Sequence, residues 1–90
     1  MLINSISDFR KALRAGKYIW PGGYPQYFIL ADGEALSFEA AREEKRSILE
    51  ALAGKGEAGW KVVSVEVNWE DDDLWCCHFG DYIHPAFPKD

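Results

Sequence analysis

The 90-residue sequence has little of what membrane-spanning, secreted or metal-scaffolded proteins need. No apolar run approaches the roughly 20 residues required to cross a bilayer, so no membrane contact is expected. The start, Met1-Leu2-Ile3-Asn4-Ser5, carries neither a basic residue nor a long apolar stretch, and no secretory signal is expected. Cysteine is scarce, and the two present, Cys76 and Cys77, are adjacent. A disulfide between neighbours is strained, so no covalent staple is expected. These absences favour a reducing, cytoplasmic compartment. Internal repeats, low-complexity tracts and linkers are missing too, and the length suits one domain over residues 1–90.

Basic side chains run out along the chain. Residues 1–61 hold nine Lys or Arg against eight acids, with Arg10, Lys11, Arg14 and Lys17 making the first helical stretch basic. Residues 62–90 hold only Lys89 against seven acids: Glu66, Glu70, Asp71, Asp72, Asp73, Asp81 and Asp90. The net charge of −5 therefore arises in the last third. Such an acidic pole repels nucleic acid and attracts basic protein surfaces.

Aromatic residues are plentiful. Phe, Trp and Tyr make up 14% of the chain and hydrophobic residues 48%, which argues against disorder. A domain of this size buries roughly 60–65% of its unfolded surface, and an aromatic core lets it fold without staples.

The spacing predicts a helix over 5–15, with Ser5 and Asp8 at capping-box distance, Ile6, Phe9 and Leu13 on one face, and Gly16 ending it. Trp20-Pro21-Gly22-Gly23-Tyr24-Pro25 reads as a loop. Residues 26–31 form a strand, Asp32-Gly33 a tight turn, and 34–37 the return. Ser37 caps a second helix over 38–53, ended by Gly54. Residues 60–69 form the clearest strand, with Val63, Val65, Val67 and Trp69 on one face and Ser64, Glu66 and Asn68 on the other. A short strand over 74–78 and a possible edge at 82–83 follow. The expected fold is α+β: an antiparallel sheet of four to five strands, order α-β-β-α-β-β(-β), with two helices on one face. The opposite face is expected to be partly wet, carrying Glu66 and Asn68.

No residue cluster amounts to a catalytic or metal signature, and neither an enzyme nor a bound cofactor is expected. Cys76, Cys77, His78 and His84 invite a zinc reading, but a structural site needs four converging ligands and no second pair is present. Strand alternation would set Cys76 and His78 on one side and Cys77 on the other, leaving a buried thiol pair beside an edge histidine as the plainer reading. A Cys76–His84 nucleophilic pair would need an electropositive setting, whereas this segment is the most acidic in the chain and should raise a thiol pKa. Glu70 to Asp73 lacks the ligand alternation and central glycine of a calcium loop. The Pro-Gly-Gly loop lacks the following helix of a phosphate cradle. Tyr27 and Phe28 could stack bases only beside a basic sheet, which the sequence does not offer.

Three segments carry a resemblance: Trp20 through Ile29, Ala31-Asp32-Gly33-Glu34-Ala35-Leu36-Ser37-Phe38-Glu39-Ala40-Ala41, and Gly59-Trp60 through Asp71 with Leu74. They resemble a group of small proteins encoded in bacteriophages and proteobacterial prophages. That group tends to finish with aromatic-Cys-x-His-Thr-Gly-x-x-Ile, which Cys76, His78, Gly80 and Ile83 fit. Phe79 and Cys77 depart from it, standing where Thr and an acid are usual. The resemblance spans roughly residues 18–87 and implies a phage setting without assigning an activity.

Charge and resemblance together lead to the expectation of a small acidic inhibitor, anti-CRISPR-like, acting on a host protein or nucleoprotein complex with a basic surface. It would touch no nucleic acid directly. Glu66, Glu70, Asp71, Asp72, Asp73 and Asp81 are the expected contacting charges, with Trp69 and Trp75 as aromatic anchors. The competing expectations are a structural or adaptor module, monomeric or homodimeric, and a small metal or Cys-His protein built on Cys76, His78 and His84.

Overall fold

The computed structural model describes residues 1–19, 22–71 and 73–87. Its elements are α1 (Ile6–Ala15), β1 (Tyr18–Ile19), β2 (Tyr24–Leu30), β3 (Ala35–Leu36), α2 (Phe38–Glu43), α3 (Lys45–Leu52), a 3-10 turn (Ala58–Trp60) and β4 (Val62–Val67). The α+β, antiparallel expectation holds, with four strands among the described residues. No helix among the described residues is long and apolar enough to cross a membrane.

Local chemistry sets several boundaries as expected. Ser5 Oγ accepts from the Asp8 N–H (3.1 Å) at the start of α1, and Ser37 Oγ accepts from the Ala40 N–H (3.1 Å) at the start of α2. Asp32 Oδ1 accepts from the Glu34 N–H (3.0 Å), while Gly33 takes φ of 90°, a region open to glycine but costly for other residues.

β2 is the spine of the sheet. One of its edges carries β1 and then β3, and the other pairs with β4 from Gln26↔Val67 to Leu30↔Val62. Phe28 projects into the core, where its ring meets Phe9 of α1 at 5.3 Å and Phe38 of α2 at 4.5 Å. Both helices therefore cover the same face of β2. Leu30, Leu36, Ile48, Val62 and Val65 complete this core, all at most 4% exposed.

Four expectations need correction. The helix expected over 38–53 is two helices meeting at Glu44 (φ −100°, ψ 24°). No proline or glycine stands between Phe38 and Leu52, so no local signal marked the break; the Glu44 carboxylate faces Ser47 Oγ (3.5 Å) and His78 Nε2 (3.5 Å). The strict alternation expected in β4 fails because Ile29 pairs with Ser64 but Leu30 with Val62, leaving Val63 as a bulge residue. The extra residue lets Val62 and Val65, three apart, both point inward.

The third correction concerns the expected wet face. Asn68 is 4% exposed and Ser64 8%. Met1–Ile3 runs antiparallel along the outer edge of β4: the Ile3 N–H donates to the Val63 carbonyl (2.9 Å), and the Val65 N–H to the Met1 carbonyl (2.9 Å). Ser64 Oγ also lies 3.1 Å from the Met1 carbonyl. A strand partner distant in sequence thus covers Ser64, while Glu66 on the same face stays partly exposed as expected.

The fourth is the segment expected as a strand over 74–78. It holds only a Trp75↔Tyr82 bridge, around a turn in which the Gly80 N–H donates to the Cys76 carbonyl (2.9 Å). The Cys77 N–H donates to the Ala35 carbonyl (2.9 Å), docking this tight loop on β3.

Candidate functional site

From Asn68 onward the described chain has no helix or named strand, yet it is tightly tied. The Asn68 carboxamide nitrogen donates to the carbonyls of Ile83 (2.7 Å) and Asp71 (3.0 Å), and its oxygen accepts from the Asp71 N–H (3.1 Å). Its backbone carbonyl accepts from the Ala86 N–H (2.7 Å), beside a Phe87 N–H to Trp69 carbonyl bond (2.8 Å). A buried amide satisfied this fully can hold three chain segments in one arrangement. Nothing in the sequence distinguished Asn68 from an ordinary outward strand residue; only the bulge and the C-terminal crossing reveal it.

Around this tether the aromatic side chains stand half out of the protein: Trp69 at 50% exposure, Trp75 at 49%, Tyr82 at 50% and Phe87 at 53%. They form two groups. Trp69 stacks on Phe87 (6.1 Å, 11° between planes) and meets Tyr24 at 4.9 Å. Trp75 packs on Tyr82 at 4.0 Å. The partners Tyr24, Tyr82 and Phe87 were missed in the sequence because their proximity depends on the C-terminal segment returning to β2 and β4.

The expected acidic contacts fall into different surroundings. Glu66 Oε2 accepts from the Met1 ammonium (2.7 Å) and from Ser64 Oγ, and these bonds hold its carboxyl below the usual range. Its charge is thus partly neutralised within the molecule. Burial first, and then the Glu66 and Asp71 carboxylates, push the Tyr27 hydroxyl upward. Asp71 Oδ1 also accepts from the Asp73 N–H (2.9 Å), so these two acids share one turn. Glu70, Asp71, Asp73 and Asp81 are exposed and make no ion pair among the described residues. Asp72 lies outside the described residues. Asp81 lies on a cleft of about 510 Å³ that also receives Lys17, Gln26, Glu39, Tyr82 and His84. Lys17 Nζ binds Glu39 Oε1 there (2.9 Å). Burial raises the Glu39 carboxyl, but the bond from Lys17, a backbone bond and the Lys17 and Arg42 charges together outweigh it and hold it low.

Cys76, His78 and His84 do not converge. Cys76 is buried, and its Sγ accepts from the Ser37 N–H (3.4 Å). Burial pushes this thiol up, but donors from Phe79, Ser37 and His78 outweigh it and hold the thiol below its ordinary value. The expectation that acidic surroundings raise the thiol thus fails at Cys76, where backbone donors rather than carboxylates dominate. Cys77 is pushed up by desolvation and then by Cys76, Glu34 and Asp32, so the acids acting on it belong to the turn before β3 and not to the C-terminal run. Cys77 is exposed, which corrects the expected buried pair. His78 turns to Glu44 and to the Trp60 ring, 5.4 Å away. Among the described residues no group of three or more His, Cys, Asp or Glu side chains could hold a metal ion.

Searches against protein-family models, curated proteins and solved structures found no match for this chain.

Proposed function

We propose that this protein acts by binding, as a small acidic phage-type inhibitor of a host nucleic-acid-handling or defence complex, of the anti-CRISPR kind, in the bacterial cytoplasm. The phage setting rests on the sequence resemblance. The mode of action rests on one observation: half-exposed Trp69, Trp75, Tyr82 and Phe87 share the C-terminal segment with Glu70, Asp71, Asp73 and Asp81, whose charges have no ion partner among the described residues. Rigid aromatic rings supply contact area at low entropic cost, and surrounding carboxylates steer a basic surface into register. Four successive acids also approach the charge density of one nucleic-acid strand, roughly one charge per 3.4 Å.

Affinity capture from a bacterial host, run at low and high salt, tests the reading. The wild-type chain should retain a basic nucleoprotein complex at low salt and release it as salt rises. The double reversal Asp71→Lys/Asp73→Lys should lose it; equal retention by that variant would remove the electrostatic inhibitor from consideration.

A homodimeric adaptor is the second reading, favoured by the exposed Tyr18 and Ile19 of β1, a two-residue edge strand. Light scattering decides it: a dimer that survives the Asp71/Asp73 reversal supports the adaptor.

A further inference from the structure

The helical layer carries a second charged feature of opposite sign. Arg10 and Arg14 stand one turn apart on α1, which places their Cβ atoms about 5–6 Å from each other. Across from them, Arg42 near the end of α2 and Lys45 at the start of α3 close a groove of about 430 Å³ floored by Leu13. No carboxylate lines it, and none of these four cations enters an ion pair among the described residues. Glu39, the acid on which Arg42 acts, is already bonded to Lys17.

One of the four is held in place. Arg42 Nη2 donates to the Leu13 carbonyl (2.9 Å), one of the last-turn carbonyls of α1 that the helix itself leaves without a partner. This bond ties α2 to α1 and fixes the guanidinium at the groove, with its remaining donors still available. Like charges gathered in this way repel one another, so an oxyanion entering between them relieves that repulsion and gains forked hydrogen bonds. No aromatic side chain among the described residues lines the groove, so it offers no aromatic platform for a base.

We infer that this groove is a binding site for phosphate oxyanions, clasped between the Arg10/Arg14 pair and the Arg42/Lys45 pair. It lies on the helical side of β2, whereas Tyr27, with Glu66 opposite it, alternates to the other face. The site is thus distinct from the acidic segment and departs from the expectation of no contact with nucleic acid. Two sources supply the same chemistry: a small phosphate compound, or the phosphodiester backbone of a nucleic acid read without regard to sequence.

Calorimetric titration of the full chain at low salt tests this, with inorganic pyrophosphate and a short mixed-sequence oligonucleotide as separate probes and a polyglutamate peptide as competitor. Saturable binding is expected, weakened at least tenfold in Arg10→Glu/Arg14→Glu. Should that variant fail to fold by circular dichroism, Arg10→Gln/Arg14→Gln keeps length and helix propensity and should show the same direction of loss. An oligonucleotide affinity falling roughly a hundredfold between about 50 and 200 mM salt assigns the backbone source. Saturation by pyrophosphate, with the oligonucleotide no tighter, assigns a small phosphate compound. The inference is overturned if neither probe saturates, if the folded variant binds as tightly as the wild type, or if polyglutamate displaces the probes at equal charge concentration.

Discussion

Between Met1 and Val67 the chain is held by buried apolar side chains on regular elements, whereas from Asn68 to Phe87 it is held by hydrogen bonds through a few polar groups. Phe9, Phe28, Phe38, Ile48 and Val62 are wholly or almost wholly buried in the first region. Among its described residues the second contributes Cys76 and Ile83 to the buried core, with Leu74 packed against it, while its five large aromatic residues at 69, 75, 79, 82 and 87 are 40–53% exposed. The contrast separates two tasks. Apolar burial supplies most of the stability of a small domain. The tethered segment is then left free to present a surface whose composition the fold does not constrain.

Substitutions in the two regions should therefore differ in kind. Phe28→Ala should cost most, about 3–5 kcal/mol, because it leaves a cavity between α1, α2 and the sheet. In denaturant melts, signals from both regions should be lost together. A variant in which only 68–87 melted would break the contrast. Asn68→Ala should cost less, about 1–3 kcal/mol, by leaving the Ile83 and Asp71 backbone groups without their partner. Hydrogen exchange should accelerate at Asp71, Ala86 and Phe87 while the β2–β4 amides keep their protection. Trp75→Ala should cost about 1 kcal/mol by removing the ring packed on Tyr82. Thermal unfolding should register this small change, while partner capture should be lost.

The smallest effect belongs to Glu66→Gln. The Met1 ammonium and Ser64 hold the Glu66 carboxyl low in the folded chain, so its contribution is present above the unfolded carboxyl value and is lost as pH falls through the folded one. The pair is well exposed, so the difference from wild type should be under about 1 kcal/mol near neutral pH. It should shrink as pH falls below the unfolded carboxyl value and vanish in acid strong enough to protonate the folded carboxyl, where both forms are uncharged at this position. Denaturant titrations at neutral pH and in acid measure it. A difference that persisted in acid would mean packing, rather than charge, holds the amino-terminal edge against β4.

The candidate site was only partly legible in the sequence. The acidic bias of the last third was plain, and the expected contacts Asp71, Asp73, Trp69 and Trp75 are exposed in the structure. The pairing of Glu66 with Met1 was not legible, because the two lie 65 residues apart. The basic groove was half visible: Arg10 and Arg14 declare a shared helix face, but Arg42 and Lys45 join them only where α2 meets α1.

What the sequence determined by itself is what acts over a few residues. Ser5, Ser37 and Asp32-Gly33 satisfy nearby backbone donors, and the apolar periods of α1 and α2 choose which side is buried. Those forces need only neighbours along the chain. The tertiary structure alone decided the bulge at Val63, the break at Glu44, the burial of Asn68 and the docking of Cys77 on β3, because each satisfies a group contributed by a distant segment.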